Sequence, residues 1–163
     1  MARVLVVGCG CRGSELAAEL VAHGHAVRGT TRDGARLDAI EATGAQAVVA
    51  DPNRLSTLMP HVEGVSVLCW LMGTAVGERQ ATAALHGSRL ETLLQRLVDT
   101  HVRGVVYEGE GSVEDRWLER GARLVRMASE TYHMPAEVVG HDPSDRSSWL
   151  AGMTAAVERV LAA

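Results

Sequence analysis

The run Val4-Leu5-Val6-Val7 stops at Gly8, and Gly8, Gly10 and Gly13 then spell G-x-G-x-x-G ahead of Leu16, Ala17, Leu20 and Val21, which recur at helical spacing. Four consecutive apolar residues suit a strand buried on both faces of a parallel sheet. A strand that turns through this glycine pattern into a helix is the opening of a dinucleotide-binding βαβ unit. The first glycine makes the tight turn, the second lets backbone approach a pyrophosphate, and the third lets helix and strand pack closely. The free N–H groups of the helix would point at the phosphates. The loop residues Gly8, Cys9, Gly10, Cys11, Arg12 and Gly13 are therefore the expected cofactor cradle.

The rest of the chain continues the alternation of strand and helix. Ala26 to Thr31 reads as a second strand, and Asp33 as the N-cap of a short helix carrying Leu37 and Ile40. Ala47 to Ala50 is a third strand, ending at Asp51-Pro52; Leu55, Leu58 and Met59 mark a short helix closed by Pro60; residues 65 to 71 are a fourth, strongly apolar strand. Residues 72 to 87 are partly helical in composition but interrupted by three glycines. Leu90, Leu93, Leu94, Leu97 and Val98 form a helical stripe, and Gly104 to Tyr107 a fifth strand. Residues 108 to 120 begin as a flexible loop, with Trp117-Leu118 pinning the second half. Leu124, Val125, Ala128 and Thr131 make a helix ended by Pro135, and Ala136 to Val139 a sixth strand. Asp142-Pro143-Ser144 opens a last helix with Trp149, Leu150, Met153, Val157, Val160 and Leu161 along one stripe. Such alternation predicts an α/β fold, one doubly wound Rossmann sheet in the order 3-2-1-4-5-6, with residues 1–163 forming a single NAD(P)-binding domain.

Composition narrows the function. A net charge of −4 argues against a nucleic-acid binder, and no apolar run approaches the roughly 18 residues of a membrane helix. The chain opens directly into a strand without a signal-peptide pattern, so the expected location is the cytoplasm. All sixteen basic residues are arginine, which excludes any mechanism that needs a lysine ammonium within the chain.

From the glycine loop, the segment His25 to Arg32 and Asp51 after the third strand, the chain resembles the short-chain dehydrogenase/reductase superfamily. The likeness is to its atypical members and to the cofactor half of nucleotide-sugar epimerase/dehydratase proteins, and it covers residues 4 to about 107. The resemblance implies that Asp51 lies near the adenine. Catalytic members use a Tyr-x-x-x-Lys pair, in which lysine lowers the tyrosine pKa. Here Tyr132 is followed four places on by Ala136, and Tyr107 has no helical partner. The substrate-binding region that follows in the family is also expected to be missing.

The ends of the strands sort the remaining candidates, because ligands bind outside the carboxyl ends of an open sheet. Tyr107 ends the fifth strand, Glu108 follows it, and these two are the candidate proton donors; His86, Glu110, Ser112 and His141 are expected on the same edge. The other histidines fall at the opposite edge. Leu71, closing the fourth strand beside the first, completes the cofactor set. Cys9 and Cys11 in the loop and Cys69 in the fourth strand are expected near one another. They read as small apolar fillers beside a pyrophosphate, or as a thiol switch with Cys11 activated by the helix N-terminus. Their spacing matches no zinc pattern.

At the end of the second strand stand the neutral Thr31 and then Arg32, where NAD-specific proteins place a carboxylate for the ribose 2′-hydroxyl. A guanidinium there suits a 2′-phosphate, so NADP(H) is expected over NAD(H), with Asp33 the competing candidate for a ribose hydroxyl. Two functions follow. One is an NADP(H)-binding protein without the catalytic pair, acting as a redox sensor or regulatory binder with a partner protein or as a homo-oligomer. The other is an NADP-dependent oxidoreductase or epimerase-like enzyme acting on a small carbonyl or sugar-nucleotide substrate.

Overall fold

The computed structural model describes residues 2–163. Six parallel strands, β1 (Arg3–Val7), β2 (Ala26–Thr31), β3 (Gln46–Val49), β4 (Val67–Trp70), β5 (Gly104–Glu108) and β6 (Ala136–Val139), form one sheet in the order β3-β2-β1-β4-β5-β6. The order reverses at β1, which pairs with β2 on one side and β4 on the other; Val6 lies opposite Gly29 and Cys69. This is the expected doubly wound sheet, and it opens its crevice between the carboxyl ends of β1 and β4.

Period-two alternation distributes each strand between two cores. Leu5 and Val7, Leu68 and Trp70, and Val105 and Tyr107 face one layer. That layer comprises α3 (Leu55–Leu58), α4 (Arg79–Ala84), α5 (Ser88–Leu97) and α6 (Asp115–Tyr132). Val4 and Val6, Val67 and Cys69, and Val106 face the other, made by α1 (Cys11–Ala22), α2 (Leu37–Glu41) and α7 (Arg146–Ala162). Because both faces are covered, Val4–Val7 of β1 and all of β4 are apolar and buried, which is why they read as continuous hydrophobic runs. Trp149 and Met153 of α7 are fully buried, so the last helix closes the second core.

Three local readings are refined or corrected. The glycine-rich stretch contains a real helix, α4, whose N-terminal N–H groups on Gln80 and Ala81 are both accepted by the Glu78 carboxylate. The segment before Leu124 is not a pinned loop: α6 already begins at Asp115 and runs for 18 residues. The last helix starts at Arg146, capped by Asp145, while Asp142 instead accepts the Ser144 N–H in the preceding turn. Asp33, as expected, caps a single 3-10 turn, Gly34–Arg36, by accepting the Ala35 N–H. Among the described residues no helix is long and apolar enough to cross a membrane.

Candidate functional site

The turn from β1 into α1 gives each glycine a separate physical reason. Gly8 has φ +91°, and a Cβ there would lie 2.6 Å from the Leu71 carbonyl oxygen. A Cβ on Gly13 would lie 2.6 Å from the Gly8 carbonyl oxygen, so only glycine lets α1 sit this close to the turn. A Cβ on Gly10 would meet nothing within 4 Å, because it faces open space. Gly10 is also the N-cap of α1 and supplies no side chain to its N–H groups; the Ser14 N–H is the first to close a turn, on Gly10. Uncapped amide donors under an open space form an anion-binding arrangement. The loop is held from β2, whose Thr30 accepts the Gly8 N–H at its side chain and the Cys9 N–H at its carbonyl.

That open space is part of a cavity of about 410 Å³. Its lining comes from residues 8–13, from Thr30, Thr31, Arg32 and Arg36, from 50–53 without Asp51, and from 71–85. The glycine loop, Thr31, Arg32 and Leu71 thus share one lining. Asp51 accepts the Asn53 N–H and does not line the cavity, whereas Ala50, Pro52 and Asn53 do. Arg36 was not foreseen. It reaches the cavity from the 3-10 turn beside Arg32, and its Nε is buried without a hydrogen-bond partner. The one carboxylate on the lining, Glu78, is engaged in capping α4. A protein of net charge −4 therefore presents a cationic corner at the end of β2.

Tyr107 and Glu108 do not line this cavity. Successive residues of a strand point to opposite faces, and these two end β5 in different cores. Tyr107 is fully buried among α4 to α6, its hydroxyl 2.6 Å from His86 Nδ1. Burial, then the nearby Glu108 charge, push the phenol well above its usual range. His86, expected at the crevice, is also fully buried, with Nε2 2.9 Å from the Met72 carbonyl oxygen; burial holds it down to about 4.

Glu108 is buried on the opposite face and fully bonded. One carboxylate oxygen accepts the Gly73 N–H at 2.7 Å; the other accepts Trp149 Nε1 at 2.9 Å and Arg12 at 3.0 Å. Burial raises its pKa, and the Arg12 charge and the two N–H donors act against that rise. Arg12 also donates to Thr74 Oγ1 and lies 5.2 Å above the Trp149 ring. Its guanidinium thus spans from α1 to the ends of β4 and β5.

The thiols differ in exposure. Cys9 is 1% exposed and fills the space above Gly29 of β2, where a Cβ would lie 2.7 Å from its sulfur. Cys69 is buried in β4, and burial pushes its thiol up to about 12. Cys11 alone is exposed. Among the described residues no cluster of histidine, cysteine or carboxylate side chains could hold a metal ion.

Comparison with solved structures supports the fold. UDP-glucuronic acid 4-epimerase from Bacillus cereus, in complex with NAD, superposes with a TM-score of 0.63 at 17% identity over 83% of this chain and 55% of that one. Triphenylmethane reductase from Citrobacter sp., complexed with NADP(H), gives 0.62 at 16% identity over 85% and 49%. BdcA from E. coli gives 0.69 at 18% identity over 96% and 93%. The chain therefore spans about half the length of the first two, and the resemblance to epimerases and reductases holds at the level of fold. No curated protein matches the sequence. A family model does match, the TrkA-N domain, over residues 4–87. Those residues, half of the chain, carry the glycine loop, the cationic corner and both walls of the cavity, and the chain belongs to the TrkA-N domain family.

Proposed function

We propose that the protein is an NADP(H)-binding regulatory protein that does not transfer hydride. The observation that carries the reading is the contrast among the three glycines. Gly8 and Gly13 are required by packing, whereas Gly10 is required by nothing inside the protein and faces an empty cradle over uncapped N–H groups. A pyrophosphate supplies the missing partner. Preference for NADP(H) is supported by Arg32 and Arg36, which share the lining at the end of β2. Asp33, the competitor for a ribose hydroxyl, uses its carboxylate to cap the adjoining turn and does not line the cavity.

The absence of lysine from the chain, and the burial of Tyr107 and Glu108, favour regulated binding over turnover. Such a protein acts through a partner protein or a second copy of itself. A cytoplasmic location agrees with three unpaired cysteines, which stay reduced there. Titration with NADPH, NADP⁺ and NADH, followed by a screen of carbonyl substrates with NADPH, tests the reading. Saturable NADPH binding without substrate-dependent oxidation is expected; turnover of a carbonyl substrate contradicts it.

A further inference from the structure

We propose that the cavity takes only the adenosine diphosphate end of the dinucleotide and leaves the nicotinamide end outside the sheet crevice, so that oxidised and reduced cofactor bind alike. The proposal rests on the dinucleotide reading and narrows it. A doubly wound sheet is two mononucleotide-binding halves, and a dinucleotide normally lies across both, over β1 to β3 and over β4 to β6. Here the cavity lining comes from the ends of β1, β2, β3 and β4 and from residues 72–85; β5 and β6 contribute nothing.

The second half is filled by the protein itself. The loop after β5 lies directly on Gly73: the Val113 N–H donates to the Gly73 carbonyl at 3.1 Å, and a Cβ on Gly73 or Gly111 would collide with the backbone of the opposite segment. Beside this contact the Arg12 guanidinium bridges Thr74 and Glu108 above the Trp149 ring. Opening the space would strip the buried Glu108 of its cation and break a bond network that ties α1, β4, β5 and α7 together.

The half that stays open suits an adenosine diphosphate. The amide cradle at Gly10 takes the phosphates, the walls formed by Ala50, Leu71, Ala81 and Leu85 offer apolar contact to a flat base, and Arg32 and Arg36 stand where the ribose 2′-position would carry its phosphate. Nothing on this lining reads the nicotinamide ring. A regulator built this way senses the amount of phosphorylated cofactor and not its redox state.

Calorimetric titration of the intact protein with NADPH, NADP⁺, 2′-phospho-ADP-ribose and nicotinamide mononucleotide tests this. The first three are expected to bind with affinities that agree to within about fivefold, or roughly 1 kcal/mol, and the mononucleotide not to compete with them. NADPH or NADP⁺ binding more than about fivefold tighter than 2′-phospho-ADP-ribose, or a larger difference between the two redox forms, overturns the proposal and leaves dinucleotide binding standing. Failure of all four to bind overturns both readings.

Discussion

Arg12 and Glu108, 96 residues apart in the chain, meet at 3.0 Å where the glycine loop faces the end of the fifth strand. The carboxylate is completely buried, whereas the guanidinium keeps 20% of its surface exposed. Such a pair is weak evidence of net stabilisation, because desolvation offsets the attraction, but removal of one partner strands the other. Glu108→Ala leaves Arg12 without its counter-charge and two buried N–H donors, on Gly73 and Trp149, without an acceptor. It is expected to cost about 3–5 kcal/mol, and Glu108→Gln, which keeps an oxygen for one of those donors, roughly half as much. Urea unfolding of both variants checks the order; equal stability of Glu108→Ala and wild type refutes it.

The glycines give a second, internally controlled prediction. Gly10→Val is expected to fold with a loss below about 1 kcal/mol, since no atom lies within 4 Å of the added Cβ, and to lose NADPH binding. Gly13→Ala places its Cβ 2.6 Å from the Gly8 carbonyl oxygen and is expected to lose about 1–3 kcal/mol of stability. Thermal melts paired with NADPH titration separate the effects. A Gly10→Val protein that binds like wild type removes the cradle from the account.

How far these features were legible before the structure depends on the range of the interaction. The sheet order followed from the alternation of runs such as Val4 to Val7 with amphipathic stretches, and the cradle from a motif confined to six residues. The start of α6 at Asp115 was hidden because Glu-Gly-Glu-Gly-Ser just upstream reads as flexible, and tertiary packing of Leu118 overrides that local signal. Tyr107 and Glu108 were placed on the correct strand end, but their burial was not visible. It is set by His86 and by Arg12 and Trp149, all distant in sequence. Arg36 carried no signal at all, since the direction of a side chain leaving a 3-10 turn depends on where that turn docks.

Thiol labelling tests the loop from another side. Only Cys11 is exposed, while burial raises the Cys9 thiol and pushes that of Cys69 up to about 12. A bulky maleimide is expected to modify one thiol in the native protein, three in denaturant, and to be slowed at Cys11 by saturating NADPH. Equal rates with and without nucleotide contradict placement of the phosphates at this loop.

Acid stability reports His86. Its folded-state pKa lies below the unfolded value of 6.5, at about 4, so the unfolded chain binds the extra proton between these limits. The neutral imidazole's contribution is therefore complete above pH 6.5 and falls away as pH drops toward 4, by at most about 1.4 kcal/mol per pH unit. Glu108 acts in the opposite sense, since a raised carboxyl pKa makes the folded state hold its proton longer. The comparison that isolates His86 is with His86→Gln, which retains an acceptor for Tyr107 and a donor for Met72. A shallower acid loss is expected in the variant, and an unchanged slope from pH 6.5 to 4 refutes the assignment.

Cofactor choice at the end of β2 is the most direct measure of the whole account, because it needs the cradle, the cationic corner and the ligand class to be right together. Paired titrations with NADPH and NADH on wild type and on the double variant Thr31→Asp with Arg32→Ala read it. Wild type is expected to bind NADPH at least about tenfold more tightly than NADH, the scale of one charge-assisted bond pair. The double variant, with a carboxylate facing the 2′-position and only Arg36 remaining, is expected to weaken NADPH binding by at least about tenfold and to bind NADH as well as or better than wild type. A wild type that prefers NADH, or a double variant with unchanged preference, contradicts the assignment.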